Sequence, residues 1–189
     1  MKFLGYIFRL ILKPQSGWED ISESNRTEAE WLRSGLYPML GILAICCFVH
    51  SMYGDFDIGT TLEKAIIEFI SYFAGLFIAN EILCWYVNKE KETDGIENAE
   101  SKDEINQKVK IFTTFNVGIL VLISIVKNLF PVDNTIFVLL PYCILFVISY
   151  SGSYIGIQES KRIIFYFIAW LSIMAPTIII NQLLSASLL

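Results

Sequence analysis

Asn80 and Glu81 stand side by side inside the apolar run 65–87, and no other residues of this chain invite chemistry as strongly. A carboxylate at such depth in hydrocarbon is costly, so it is expected to face other helices or a polar cavity and to find a partner. Asn116 lies about as far into the next apolar run, and Ser149 and Ser153 occupy a similar level in the one after that. These depths predict one intramembrane polar cluster of Asn80, Glu81, Asn116, Ser149 and Ser153. Glu81 shares a helix face with Ala74, Phe77, Ile78 and Cys84, which points it inward. Two roles fit such a residue. It is either a packing centre, protonated or hydrogen-bonded to Asn116 and the serines, or a proton or substrate site on a pathway. Glu68, nearer the opposite boundary, is expected to be hydrated.

The remaining reactive side chains form no catalytic set. His50, the sole histidine, sits at the end of its apolar run opposite to the serine cluster, so a Ser-His dyad is geometrically poor. Cys46, Cys47, Cys84 and Cys143 all fall in apolar segments without CxxC or Cys-His spacing, which reads as small buried hydrophobes and not as a metal or disulfide framework. No HExxH, GxSxG or P-loop pattern occurs, so the expectation is a non-enzymatic protein with no catalytic, cofactor or metal site.

The elements that must position these residues are helices in a membrane. Hydrophobic residues make up 54% of the 189 residues and charged ones only 17%, and the mean hydropathy is +0.55. Apolar runs at about 35–53, 65–87, 111–130, 135–157 and 163–184 are each near the length needed to cross a hydrocarbon core of about 30 Å at about 1.5 Å per residue. The fold expected is therefore all-α, a polytopic bundle of five transmembrane helices. No basic patch with interleaved aromatics appears, which argues against nucleic acid as a partner.

Residues 1–34 are expected to form a cytoplasmic segment ahead of the membrane domain, 35–189. In the first twelve, Lys2 and Arg9, with Lys13 just beyond, share one side of a helical wheel and Phe3, Leu4, Ile7, Phe8 and Ile11 the other. That predicts an amphipathic helix lying in the membrane surface. Pro14 ends it, and Trp18 and Trp31 stand where interfacial anchors would serve. Thr27-x-x-Glu30 and Ser101-x-x-Glu104 match the capping box of a helix start. Gly152-x-x-x-Gly156 and Ser149-x-x-x-Ser153 predict a small-residue face for close helix packing, Pro176 a kink in the last span, and Pro131 to Asn134 a tight turn. With five spans, twelve of the fourteen Lys and Arg residues fall on one side, leaving Lys64 and Lys127 on the other. The positive-inside rule then puts the N-terminus in the cytoplasm and the C-terminus outside, in the cytoplasmic (inner) membrane.

The run ILKPQSGWEDI, with Pro14, Trp18 and Ile21 shortly before five spans, resembles bacterial members of the Yip (Ypt-interacting protein) family. The order of a short cytoplasmic start, five spans, a longer second loop and a tiny third loop agrees. The resemblance implies a multispanning membrane protein and leaves its biochemical function open. In the eukaryotic branch the family engages prenylated GTPases through an Asp-Leu-Tyr-Gly-Pro signature. Gly35-Leu36-Tyr37-Pro38 echoes it only superficially, so GTPase binding does not carry over. The functional expectation is a membrane-organising or interaction protein, contacting the lipid bilayer and either other membrane proteins or its own copies. The alternative is a small transporter or channel subunit that uses Glu81.

Overall fold

The computed structural model describes residues 2–54, 56–93, 101–130 and 140–188. Its elements are α1 (Lys2–Leu12), α2 (Pro14–Glu23), α3 (Glu28–Trp31), α4 (Tyr37–Ser51), α5 (Ile58–Thr93), α6 (Lys102–Leu129), α7 (Leu140–Ser149), α8 (Gly152–Ile155) and α9 (Arg162–Leu188). Among the described residues there is no strand. Four stretches are long and apolar enough to cross a membrane: Glu28–Ser51, Ile58–Glu92, Lys102–Leu129 and Glu159–Leu188. The protein is therefore an all-α, membrane-embedded one. The expected turn at Pro131–Asn134, the first residues of the fourth predicted span (135–139) and the middle of the second polar loop (94–100) lie outside the described residues.

Local sequence explains the helix boundaries. Thr27 accepts from the Glu30 N–H at 3.4 Å while the Glu30 carboxylate accepts from the Thr27 N–H at 2.9 Å, a complete capping box that starts α3. From there the helix runs into α4 through a π turn at Leu32–Leu36, just before Pro38 withholds an N–H from the ladder. Ser101 caps α6 by accepting from the Glu104 N–H at 3.2 Å. α9 stays continuous through Pro176.

α6 is the axis of the bundle. Every residue from Ile111 to Leu120 is buried, as expected of a helix that is apolar all round and surrounded by neighbours. α4, α5 and α9 pack against it, and α5 also packs on both α4 and α9. At one end the Tyr53 hydroxyl donates to the Leu129 carbonyl at 3.0 Å and Thr61 to Ser51 Oγ at 2.7 Å. We call this the far end. At the other, capped end, Lys161 pairs with Glu90 at 2.7 Å, tying the start of α9 to the last turns of α5.

The N-terminal helices form the cap, and this changes the expected role of α1. Phe3, Ile7 and Leu10 are buried in protein, with the Phe3 ring stacked on Phe115 at 4.7 Å and 6.0 Å from Trp31. A Cβ on Gly35 would stand 2.2 Å from Phe3 Cγ, so only glycine leaves the notch that seats this ring. The apolar side predicted to meet lipid is thus divided: Phe3 and Ile7 meet the bundle, while Phe8 faces outward.

The fourth predicted span is also broken within its described part. α7 ends at Ser149, Tyr150 and Ser151 interrupt it, and α8 is a single turn. Ser151 N–H turns back to Ile148 O at 2.9 Å, which leaves the Val147 carbonyl without its usual helical partner. The Trp18 indole donates to that carbonyl at 3.1 Å.

Candidate functional site

The two buried tryptophans set the geometry at the capped end. Trp18 and Trp31 are core residues, only 2% and 0% exposed, and not interfacial anchors. α1 lies over Trp31, and α2 turns Trp18 inward: Trp18 stacks on Tyr154 at 5.1 Å and Trp31 meets Phe115 at 5.0 Å, under the Arg26 guanidinium at 4.9 Å. A cap of protein has taken the place that lipid headgroups were expected to fill. Pro14, Trp18 and Ile21 form the buried side of α2.

Inside this end lies a polar seam between α3, α5 and α6. The Asn80 amide reaches Glu28 Oε1 at 3.5 Å, and the Asn116 amide turns back to the Phe112 carbonyl at 2.9 Å. Asn80 Oδ1, Asn116 Oδ1 and Trp31 Nε1 are buried without a hydrogen-bond partner. Two turns along α5, Asn88 Nδ2 donates to Asn106 Oδ1 at 2.7 Å. Asn80, Cys84 and Asn88 are spaced by four and hold one helix face towards this seam.

The predicted five-residue cluster does not assemble. Asn80 and Asn116 are inside, although no hydrogen bond joins them. Glu81 is exposed on the outer face of α5, beside the exposed Phe77, Ile78, Ile82 and Trp85. One residue is one helical step of about 100°, enough to put Asn80 in the core and Glu81 outside it. Ser149 bonds locally to the Phe146 carbonyl at 2.7 Å, and Ser153 is exposed. Gly152 does serve packing, since a Cβ there would stand 2.5 Å from Tyr166 Oη. Gly156 instead ends α8 in the left-handed region with φ 77°, a conformation that favours glycine.

At the far end the structure assembles a cluster that span depth alone passed over. Glu68 and Tyr72 on α5 face Ser124 and Asn128 on α6. The Asn128 amide donates to the Glu68 carboxylate oxygens at 3.2 and 3.4 Å and lies 3.7 Å from Cys47 Sγ on α4. The Tyr72 and Ser124 hydroxyls share a hydrogen bond. Glu68, expected to be hydrated, is half-buried and bonded to Asn128. The signal lay in matched four-residue spacings, 68/72 against 124/128, which place two polar pairs on facing stripes of antiparallel helices.

Arg9 and Asp57, both outside the spanning stretches, are shifted. The hydrogen bond and charge of Asp20 raise the Arg9 guanidinium. Asp57, which caps α5 by accepting from the Thr60 N–H at 2.8 Å, is held below the usual carboxylate range by the backbone and hydroxyl of Thr60. Among the described residues no group of three His, Cys, Asp or Glu is placed to hold a metal ion. No protein-family model, curated protein or solved structure matches the chain.

Proposed function

We propose that this is a non-enzymatic membrane-organising protein that works by lateral contact, pairing with a second copy of itself through the outer face of α5. The observation that carries the reading is the position of Glu81. It stands exposed on a stripe of Phe69, Phe73, Phe77, Ile78, Ile82 and Trp85, well inside an apolar run. A carboxyl group facing hydrocarbon is costly until another helix supplies hydrogen bonds. In a two-fold pair of parallel α5 helices the two Glu81 side chains meet and their polar atoms face each other instead of hydrocarbon. The exposed ladder Phe69, Phe73 and Phe77, with ring centroids 5.9 and 5.0 Å apart, adds apolar contact area on the same stripe.

The chain crosses the membrane five times on this reading. Leu129 lies at the far end beside Tyr53, whereas Lys161 lies at the capped end beside Glu90, so the chain between them has to return across the bundle. The Trp170 indole, bonded to the Pro141 carbonyl at 3.2 Å, holds α7 along α9 on that return. The basic residues of 1–34, of the last turns of α5 and first turns of α6, and of 161–162 gather at the capped end, which supports a cytoplasmic N-terminus, an external C-terminus and the cytoplasmic membrane. Membership of the bacterial Yip-like group remains part of the proposal, resting on Pro14, Trp18 and Ile21. A conduit through Glu81 has less support, because that side chain does not line the interior.

Single-molecule photobleaching of the labelled protein in lipid vesicles tests the reading. The wild type and Glu81→Gln are expected to pair, since the amide both donates and accepts. Glu81→Leu is expected to weaken pairing roughly 5- to 30-fold, the worth of one interhelical polar contact in a membrane. A monomeric wild type, or pairing unchanged in Glu81→Leu, contradicts it.

A further inference from the structure

A second site is carried by the far-end cluster and is independent of the outer face of α5. A cavity of about 290 Å³ opens between α5, α6 and α9 beside the Glu68 group. Its walls are polar for a membrane bundle: Glu68, Tyr72, Ser124, Lys127, Asn181 and Gln182 all line it. Convergent polar groups in a cleft between helices are the usual mark of a ligand site, and buried ionisable groups in a membrane strengthen it.

Three features narrow the ligand. The first is charge. Among the described residues Glu68 accepts hydrogen bonds from one amide, that of Asn128, which leaves lone-pair positions for a ligand's donors. Lys127, an exposed residue on the same wall, brings the opposite charge. The second feature is depth. Lys127-Asn128 on α6 and Asn181-Gln182 on α9 interrupt apolar runs near their ends, and Glu68 lies one turn from Lys64 on α5. All three helices therefore put these groups near the level of lipid headgroups and not at the bilayer centre. The third is closure. A Cβ on Gly75 would stand 2.4 Å from Thr177 Oγ1, so α5 and α9 touch through backbone next to Thr177, itself a wall of the cavity. That close approach leaves no room for a side chain between α5 and α9 at the level of Gly75, which suits a binding pocket.

We infer that this cavity binds a ligand in which a primary ammonium lies close to a phosphate, as in phosphoethanolamine, with Glu68 taking the ammonium and Lys127 the phosphate. The group could arrive as the headgroup of phosphatidylethanolamine or as a free solute. Glu68 selects for a primary ammonium because that cation donates hydrogen bonds and a quaternary one cannot.

Native mass spectrometry of the full-length protein, with phosphatidylethanolamine, phosphatidylcholine or phosphatidylglycerol at equal mole fraction, tests the lipid source. Titration of phosphoethanolamine onto protein in phosphatidylcholine nanodiscs tests the solute. The expected result is retention of phosphatidylethanolamine over phosphatidylcholine by about tenfold, as one charge-assisted hydrogen bond set would give. Glu68→Gln, which still accepts from Asn128 and so keeps the fold, is expected to erase that preference. Lys127→Gln is expected to weaken both phosphatidylethanolamine and phosphoethanolamine. Glu81→Gln, on the opposite face, is expected to change neither. Saturable binding of phosphoethanolamine without lipid preference assigns the site to the solute. Equal retention of the three lipids together with no phosphoethanolamine binding overturns the inference, as does a preference that survives Glu68→Gln in a folded protein.

Discussion

Helix α5 carries two glutamates inside one apolar run, and the bundle treats them oppositely. Glu68 turns inward to Asn128 and the Tyr72–Ser124 pair, while Glu81 turns outward among Phe77, Ile78 and Ile82. Thirteen residues separate them, which is about 140° short of whole turns at about 100° per residue. Depth in the membrane tells how costly a carboxylate is. Rotation about the helix axis tells who has to satisfy it. For Glu68 that is the chain itself, and for Glu81 it is a neighbour.

The contrast can be broken at several strengths. The largest effect is expected from closing the inward stripe sterically: Gly75→Leu drives a side chain into Thr177 and should cost about 3 kcal/mol of bundle stability. Phe77→Leu on the outward stripe should stay within about 0.5 kcal/mol. Unfolding in mixed micelles compares the two, and similar losses would remove the distinction between the faces.

Next comes the acid itself. Glu68→Leu strands the Asn128 amide, which is only 5% exposed, and should cost about 1–3 kcal/mol. Glu68→Leu combined with Asn128→Leu should recover part of that loss, whereas Glu81→Leu should leave the stability of the single chain nearly unchanged. A double variant no better than Glu68→Leu alone would show that the hydrogen bond is not what holds Glu68 inward.

The smallest effect is a pH dependence at the start of the same helix. The Thr60 N–H lowers Asp57 in the folded chain below its unfolded value. Its contribution is therefore fully present above the unfolded carboxylate range and is lost as pH falls through the lower, folded value. Unfolding midpoints between about pH 5 and pH 2 should drop less in Asp57→Asn than in the wild type. An identical drop would leave the cap without energetic weight.

Much of the scaffold was legible in the chain. The Thr27 capping box and the Ser101 cap start helices where the sequence predicted, and the runs 111–130 and 163–184 lie within α6 and α9 to within a residue. The contents of the faces were legible too: Glu81 does share a side of α5 with Phe77 and Ile78. The direction of that side was not, because a helix apolar all round has no hydrophobic bias to separate core from lipid. Small residues carry that information. Ser71, Gly75 and Ala79, spaced by four, mark the buried stripe, since small side chains let backbones approach. Trp18 and Trp31 misled for a related reason: a tryptophan at the membrane boundary looks the same in sequence whether lipid or a folded-back α1–α2 hairpin covers it.

Disulfide crosslinking between copies in native membranes tests the central contrast most directly. In a background with the four native cysteines replaced, a cysteine at position 81 is expected to crosslink to its counterpart in a second copy, and a cysteine at position 68 is not. Crosslinking between copies at 68, or its absence at 81, would contradict the assignment of the two faces.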